Sequence, residues 1–334
     1  MIHNKTVLIT GGSGFVGGRL IQHLTARGFT VRVLARTSQA AHCVEALGAQ
    51  AVLGDLDDRV ALQCAAEGCQ AVFHVAAFFK LWGKAEEFER VNVEGTRNLL
   101  QAAASTSTVT RLVQVGAAAV VMGDPQPMIQ AHELLPRQER WWAPYSASKA
   151  RSEALVLAAN QPGRFETVVV RPPMIWGQGM PTLDRMVAQV RAGLFRWPGD
   201  GNQAMSTAHV DNVCHAALLA LQTGRGGQAY FISDGRDSTL RQVISGLLAT
   251  QGIEAPRASV PLPLAWFFAG LLERAWSLFS LSGEPPITRQ MLRLIGQPFT
   301  LDISKAEREL GYTPIVSWDQ GLAAMDGFSS GRPD

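Results

Sequence analysis

The 334-residue sequence predicts an α/β fold, a doubly wound parallel sheet joined by a smaller, discontinuous C-terminal part. Two observations carry that expectation. The first is the passage of an aliphatic run, Val7-Leu8-Ile9, straight into a turn holding Gly11, Gly14 and Gly17. Such a turn brings backbone N–H groups close to a phosphate with no Cβ in the way, and the helix that follows adds its positive end. Gly11, Ser13, Gly14, Phe15, Val16 and Gly17 thus read as a cradle for the pyrophosphate of a dinucleotide. The second is the alternation of short apolar runs with amphipathic stretches through the first 170 residues, which implies right-handed crossovers and a parallel sheet.

Bulk properties narrow the class. With 47% hydrophobic and 17% charged residues the composition is that of an ordinary globular protein, and a net charge of +2 gives no reason to expect nucleic acid. Cys43, Cys64, Cys69 and Cys214 form no CxxC pair and lack zinc-like His spacing, so reduced thiols and no metal are expected. An aliphatic run so near Met1 argues for a cytoplasmic setting.

Taken in order, Arg19 to Arg27 has apolar residues at Leu20, Ile21 and Leu24 and is a helix ended by Gly28; Val31 to Leu34 is the second strand. At the end of that strand an acidic residue selects a free ribose 2′-hydroxyl and a basic one accepts a 2′-phosphate. Ala35-Arg36-Thr37-Ser38 stands there, so NADP(H) is favoured over NAD(H). Ala51 to Leu53 is the third strand, followed by Asp55, placed for the adenine amino group, and Leu56; the bland alternative makes Asp55 or Asp57 a helix cap. Ala71 to Val75 is the fourth strand, whose His74 reads as a packed core residue. Ala76 and Ala77 are small enough for the backbone to pass beneath the cofactor. Asn92 to Ala104 is a helix and Arg111 to Val115 the fifth strand.

The most chemical feature is Tyr145-Ser146-Ala147-Ser148-Lys149, at the head of a helix reaching Ala159. A separation of four puts phenol and ammonium on one face. A Tyr beside a cation titrates below its ordinary value of about 10, which suits it to exchange a proton with an alcohol oxygen.

With these motifs in this order, the chain resembles the extended short-chain dehydrogenase/reductases, whose fold is Rossmann-like. Arg171-Pro172-Pro173-Met174-Ile175-Trp176-Gly177 and His209-Val210-Asp211-Asn212-Val213 extend the resemblance over nearly the whole chain. Gly283-Glu284-Pro285-Pro286-Ile287-Thr288-Arg289 and Asp302-Ile303-Ser304-Lys305-Ala306 resemble the branch of 3β-hydroxysteroid dehydrogenases, dihydroflavonol reductases and 2-alkyl-3-oxoalkanoate reductases. The resemblance implies that Tyr145 is the acid/base, that Lys149 holds the nicotinamide ribose and lowers the Tyr pKa, and that the backbone near Pro172 faces the carboxamide. It implies a homodimer paired through the helices around Asn92 and Tyr145. It also implies a Ser or Thr after the fifth strand, where this chain has Val115-Gly116-Ala117-Ala118-Ala119. Neither Ala117 nor Ala118 can donate.

The segments expected around the substrate are apolar: Phe79 and Trp82, Ala118, Trp142, Met174 and Trp176. They favour a hydrophobic ketone or secondary alcohol. A sugar-nucleotide epimerase or dehydratase, using Arg191, Arg196 and Arg241, is the alternative, as is an NADP-binding sensor. Val260 to Leu281 holds only two charges, Glu273 and Arg274, with Gly270, Glu273, Ser277 and Ser280 as one polar stripe. Adjacent charges make spanning a bilayer costly, so a lid, a dimer contact or peripheral membrane contact through 260–281 is expected. Ser304-Lys305-Ala306-Glu307 reads as a capping box, with Gly311 stopping that helix. The expected organisation is an NADP-binding domain over 1–170 and about 205–235, a substrate-binding part over 171–204 and 236–326, and a tail over 327–334.

Overall fold

The computed structural model describes residues 5–326, so the expected tail lies outside the described residues. Its centre is a seven-stranded sheet in the order β3-β2-β1-β4-β5-β7-β11. The strands are β1 Thr6–Thr10, β2 Thr30–Ala35, β3 Gln50–Leu53, β4 Ala71–His74, β5 Arg111–Val115, β7 Glu166–Arg171 and β11 Gln228–Phe231. Every neighbouring pair is parallel, with Val7 opposite Val31 and Ala71. The fold is Rossmann-like, as expected.

Alternation along the strands divides the core in two. Val7, Ile9 and Val33 face Leu20 and Leu24 of α1 (Phe15–Thr25) and Val213 and Ala217 of α8 (Val210–Gln222). Leu8, Val72 and Leu112 face the opposite layer, where α2 (Ser38–Glu45) is absent and Leu62 of α3 (Arg59–Ala66) and Val156 of α6 (Pro144–Ala158) pack. That layer also holds Leu99 and Ala103 of α5 (Gly95–Ser105). The helix expected from Asn92 begins earlier: α4 (Ala85–Phe88) runs through a π-helical turn, Glu89–Glu94, into α5. The extra residue in that turn accompanies a buried polar side chain, Asn92, bonded on both sides.

The smaller part is built on β12 (Asp237–Thr239), β10 (Ala204–His209), β14 (Phe299–Leu301) and β6 (Met128–Ala131), with β8 (Met174–Trp176) beside β10. β9 (Trp197–Pro198) pairs with β13 (Ser259–Val260). Around them lie α7 (Pro181–Arg191), α9 (Leu240–Ala249), α10 (Leu262–Leu278), α11 (Arg289–Ile295), α12 (Ser304–Leu310) and α13 (Trp318–Ala323). No helix among the described residues is long and apolar enough to cross a membrane.

Two capping expectations are corrected. The capping box at Ser304 does not form: Ser304 is the first helical residue of α12, and its N–H donates to Asp302 Oδ1 at 2.9 Å, so the preceding carboxylate does the work. Gly311 does end the helix, with φ 68°. At α3 the cap is Asp58, accepting from Ala61 N at 2.9 Å, while Asp57 pairs with Arg90.

One buried ion pair ties α6 to the sheet. Arg171 at the end of β7 donates through Nε and Nη2 to the two oxygens of Glu153, both side chains being buried. Removing one partner strands a buried charge. Glu153→Leu is expected to lower unfolding stability by about 3–5 kcal/mol in urea titration, with Glu153→Leu/Arg171→Met recovering most of the loss.

Candidate active site

The glycine turn sits at the C-terminal edge of the sheet, where β1 meets β4. Gly11 has φ 76°, and a Cβ there would lie 2.6 Å from Ala76 Cα and N. A Cβ on Gly17 would come within 2.1 Å of Gly11 O. Gly14 caps α1 with no side-chain hydrogen bond and no acid in the first turn, and Ser13 and Gly14 are exposed. The first N–H groups of α1, at Phe15, Val16 and Gly17, thus face no competing side-chain acceptor. That fits an anionic pyrophosphate. Around the same edge, Arg36 is exposed just past β2, Thr37 is spent capping α2, and Asp55 is half-buried with Oδ1 accepting from Leu56 N at 2.7 Å. Ala76 and Ala77 follow β4.

Tyr145 and Lys149 lie in the first turns of α6. The helix has no cap from its own Ala143; instead Tyr145 N donates to Gln290 Oε1 of α11 at 3.2 Å. The Tyr145 ring meets Phe79 edge-on, centroids 5.0 Å apart. Lys149 Nζ is buried and donates to Val115 O at 3.0 Å, at the end of β5. Burial pushes the Lys149 ammonium down to about 8, partly offset by Glu153, and pushes the Tyr145 phenol up from its ordinary value. The expectation that Lys149 lowers the Tyr145 pKa is therefore corrected for this state: desolvation governs the phenol, and the ammonium is anchored on a carbonyl.

The turn after β5 lacks a hydroxyl, and the structure shows what the alanines do instead. Ala117 and Ala118 are buried, Ala118 begins a 3₁₀ turn, and its N–H donates to Pro172 O at 2.8 Å. Ser148 does not stand in for the missing group, since its Oγ donates to Tyr145 O and accepts from Asn92 Nδ2. Beneath the site runs a buried chain: Thr10 Oγ1 to His74 Nδ1, His74 Nε2 to Thr96 Oγ1, Thr96 to Ser152, and Ser152 to Gln114, each 2.7–2.8 Å. His74 is a core residue as expected, held down to about 3 by burial and then by Lys149. Asn92, Glu153 and Gln290 escaped the sequence reading. An Asn inside an apolar helix was the one available signal; Gln290 had none.

The substrate-side residues separate. Phe79 is 53% exposed beside Tyr145, Trp82 is half-buried in the same loop, and Trp142 meets Trp266 of α10 at 5.2 Å. Met174 is half-buried against the smaller part's core. Trp176 is corrected: it is fully buried, donates Nε1 to Asp234 at 2.7 Å, and packs on His209 and Trp318. The α10 stripe divides, with Glu273 buried while Ser277 and Ser280 are exposed. Glu273 is 3% exposed and accepts from Arg289 N and Nε, while Leu264, Phe267, Phe268 and Leu271 are exposed. Arg241 and Arg196 are occupied by backbone carbonyls of their own neighbourhood. The His209-to-Val213 motif is scaffold: Asp211 accepts from Arg19 and His23 of α1, and Asn212 bonds Asp234, Ile315 and Val316.

Residues 8–264 match the 3-beta hydroxysteroid dehydrogenase/isomerase family. The chain belongs to that family. It is a dehydrogenase/reductase of the extended short-chain class, NAD(P)-dependent as the family is. Among this family's relatives, it is 42% identical over 318 residues, 95% of this chain and 94% of the relative, to the 4-hydroxy-2-methyl-3-oxo-4-farnesyl-3,4-dihydroquinoline-1-oxide ketoreductase of Stigmatella aurantiaca. It is 34% identical over 332 residues, 97% of this chain and 99% of the relative, to the 2-alkyl-3-oxoalkanoate reductase of Stenotrophomonas maltophilia. The solved dTDP-glucose 4,6-dehydratase of Streptomyces venezuelae with NAD bound superposes with a TM-score of 0.72 at 26% identity, covering 96% of this chain and 95% of that one.

Because the folded Lys149 pKa of about 8 lies below the ordinary 10.5, the unfolded chain binds the extra proton between those values. Stability is expected to rise with pH from 8 to 10.5, and Lys149→Met to flatten that rise, in urea midpoints measured without cofactor.

Proposed function

We propose that this chain interconverts a ketone and a secondary alcohol on a hydrophobic substrate with NADP(H), Tyr145 being the acid/base. One observation carries the reading: Tyr145, with Lys149 one turn on, stands beside the exposed Phe79 ring at the same sheet edge as the open N-terminus of α1. The similarity to two reductases whose names specify lipophilic oxo compounds supports the substrate class.

In this reading the N–H groups from Gly11 to Gly17 hold the pyrophosphate, Arg36 meets the 2′-phosphate, and Asp55 and Leu56 border the adenine. Ala76, Ala77 and Pro172 line the remaining edge. Bound there, the nicotinamide supplies or accepts the hydride. Tyr145 gives its proton to the carbonyl oxygen, and a phenol kept neutral by burial is in the right form to do so. Lys149, whose Nζ donates to Val115 O in this structure, would hold the nicotinamide ribose. Lacking the second donor costs about a hundred- to a thousandfold in rate, which slows the step without preventing it.

The sugar-nucleotide alternative draws on the dehydratase likeness, but Arg196 and Arg241 are already committed to carbonyls. A sensor would have no use for Tyr145. Peripheral contact with lipid is part of the proposal: the outward face of α10 presents Leu264, Phe267, Phe268 and Leu271, and the same helix touches Trp142 just before Tyr145. A lipophilic substrate would then leave the bilayer next to the site.

Tyr145→Phe is expected to lower kcat at least about a thousandfold toward lipophilic ketones while NADPH binding, read by fluorescence, stays within about twofold; a near wild-type rate overturns the assignment. Arg36→Leu is expected to raise KM for NADPH and leave KM for NADH unchanged. Wild-type protein should sediment with neutral phosphatidylcholine vesicles and Phe267→Glu/Leu271→Glu should remain in the supernatant; equal distribution of the two removes the lipid contact.

A further inference from the structure

A cavity of about 320 Å³ lies apart from the candidate active site, among α1, the loop after β8, the start of α8 and α13. None of the cradle residues and none of the substrate-side residues lines it. Its volume falls at the lower end of those that hold small molecules, which run from roughly 300 to 1,000 Å³. Arg19, Gln178, His209 and Gln320 supply the polar part of the wall, and Ile315 and Val316 much of the apolar part.

These polar groups have hydrogen atoms to spare and few free acceptors. His209 is buried, and its Nδ1 accepts from Asp211 N at 3.2 Å. Burial holds this ring below its ordinary pKa, so in the neutral form the proton is on Nε2, which meets no acceptor among the described residues. Glycines flank the ring: a Cβ on Gly177 would lie 2.9 Å from Nε2, and one on Gly321 2.9 Å from Cδ2. Arg19 directs Nε and Nη2 to the two oxygens of Asp211 and Nη1 to Gln22, which leaves one N–H on each terminal nitrogen. Gln320 gives its Oε1 to Ser317 N in the capping box, so its Nε2 is the end left over. Asp211 is the one carboxylate in the lining, and it already accepts twice from Arg19 and once from His23.

We propose that this cavity binds a small organic acid, its carboxylate accepting from His209 Nε2, Arg19 and Gln320 and its short aliphatic body lying on Ile315 and Val316. A buried donor without a partner is costly, and an anionic oxygen is the acceptor that compensates best. Arg19 balances Asp211, so one added negative charge suits the wall better than the two of a phosphate dianion. The positive end of α8, a helix of 13 residues, favours the same sign. The site goes beyond the ketone–alcohol reading and does not depend on it. Because no lining residue is shared, the acid and the dinucleotide can be bound together.

The test is isothermal titration of the full chain with hexanoate, and with 1-hexanol and inorganic phosphate for comparison, NADPH being present at saturation so that the cradle is filled. Hexanoate is expected to bind with a Kd of about 1 mM or below, and the other two at least about tenfold more weakly. Leaving out NADPH should change the hexanoate Kd by less than about twofold. Gln320→Glu keeps an oxygen for Ser317 N and puts a negative charge where the donor was, and Gln178→Glu places one at an exposed position of the wall. Each should raise the hexanoate Kd, by at least about tenfold for Gln320→Glu and about threefold for Gln178→Glu. His209→Asn retains a side-chain oxygen to cap α8 and should weaken hexanoate as Gln320→Glu does, with Tm recorded for each variant. An unchanged isotherm in Gln320→Glu overturns the site, as does hexanol or phosphate binding as tightly as hexanoate. Competition between hexanoate and NADPH, or no saturation by about 20 mM hexanoate, overturns it as well.

Discussion

The interaction on which most else depends is the buried hydrogen-bond chain from Thr10 through His74, Thr96 and Ser152 to Gln114. Its five members belong to β1, β4, α5, α6 and β5, so it pins three strands and two helices at the edge where the candidate site lies. Inside a low-dielectric layer such a chain holds its parts in register only while each link is made. Burial keeps His74 neutral where it bridges the two hydroxyls, and the ammonium of Lys149 pushes it further that way. The polar layer and Lys149 are thus one electrostatic unit.

Above that layer the site is assembled from distant stretches. Phe79 comes from the loop after β4, Tyr145 from α6, Pro172 from the end of β7, and Gln290 from α11. Phe79 and Pro172 follow strands of the central sheet directly, whereas α6 comes after β6 of the smaller sheet. Gln290 is brought in by the smaller part, through Trp142 on Trp266, Arg289 over Trp141 and Arg293 on Gly123. α6 therefore begins under the control of the smaller part, through Gln290 on Tyr145 N.

What could be read from the sequence was whatever depends on local order. Val7-Leu8-Ile9 followed by spaced glycines, the fifth strand Arg111–Val115, and the four-residue step from Tyr145 to Lys149 all encode geometry within a few residues of themselves. Partners chosen across the fold were invisible. Trp176 looked like a pocket aromatic because its sequence neighbours are Met174 and Gly177, yet Asp234, 58 residues on, draws its indole inward. Glu273 read only as one member of a polar stripe, because nothing near it in sequence shows that Arg289 will meet it. The phenol's direction of shift was misread for the same reason: four-residue spacing gives proximity along the helix, whereas solvation depends on what packs around it.

The glycine turn divides its labour in a way that bears on how such motifs are interpreted. Gly11 and Gly17 are demanded by the protein's own backbone, since a side chain at either would strike Ala76 or Gly11 itself. Gly14 is the least crowded of the three: exposed, with φ −84° and a built Cβ 3.3 Å from Gly11 O, so that a side chain there asks only a small shift of the carbonyl. A descendant that abandoned the dinucleotide would still need Gly11 and Gly17 in order to fold. The informative position is the middle one, because only there would loss of the ligand release the residue to change.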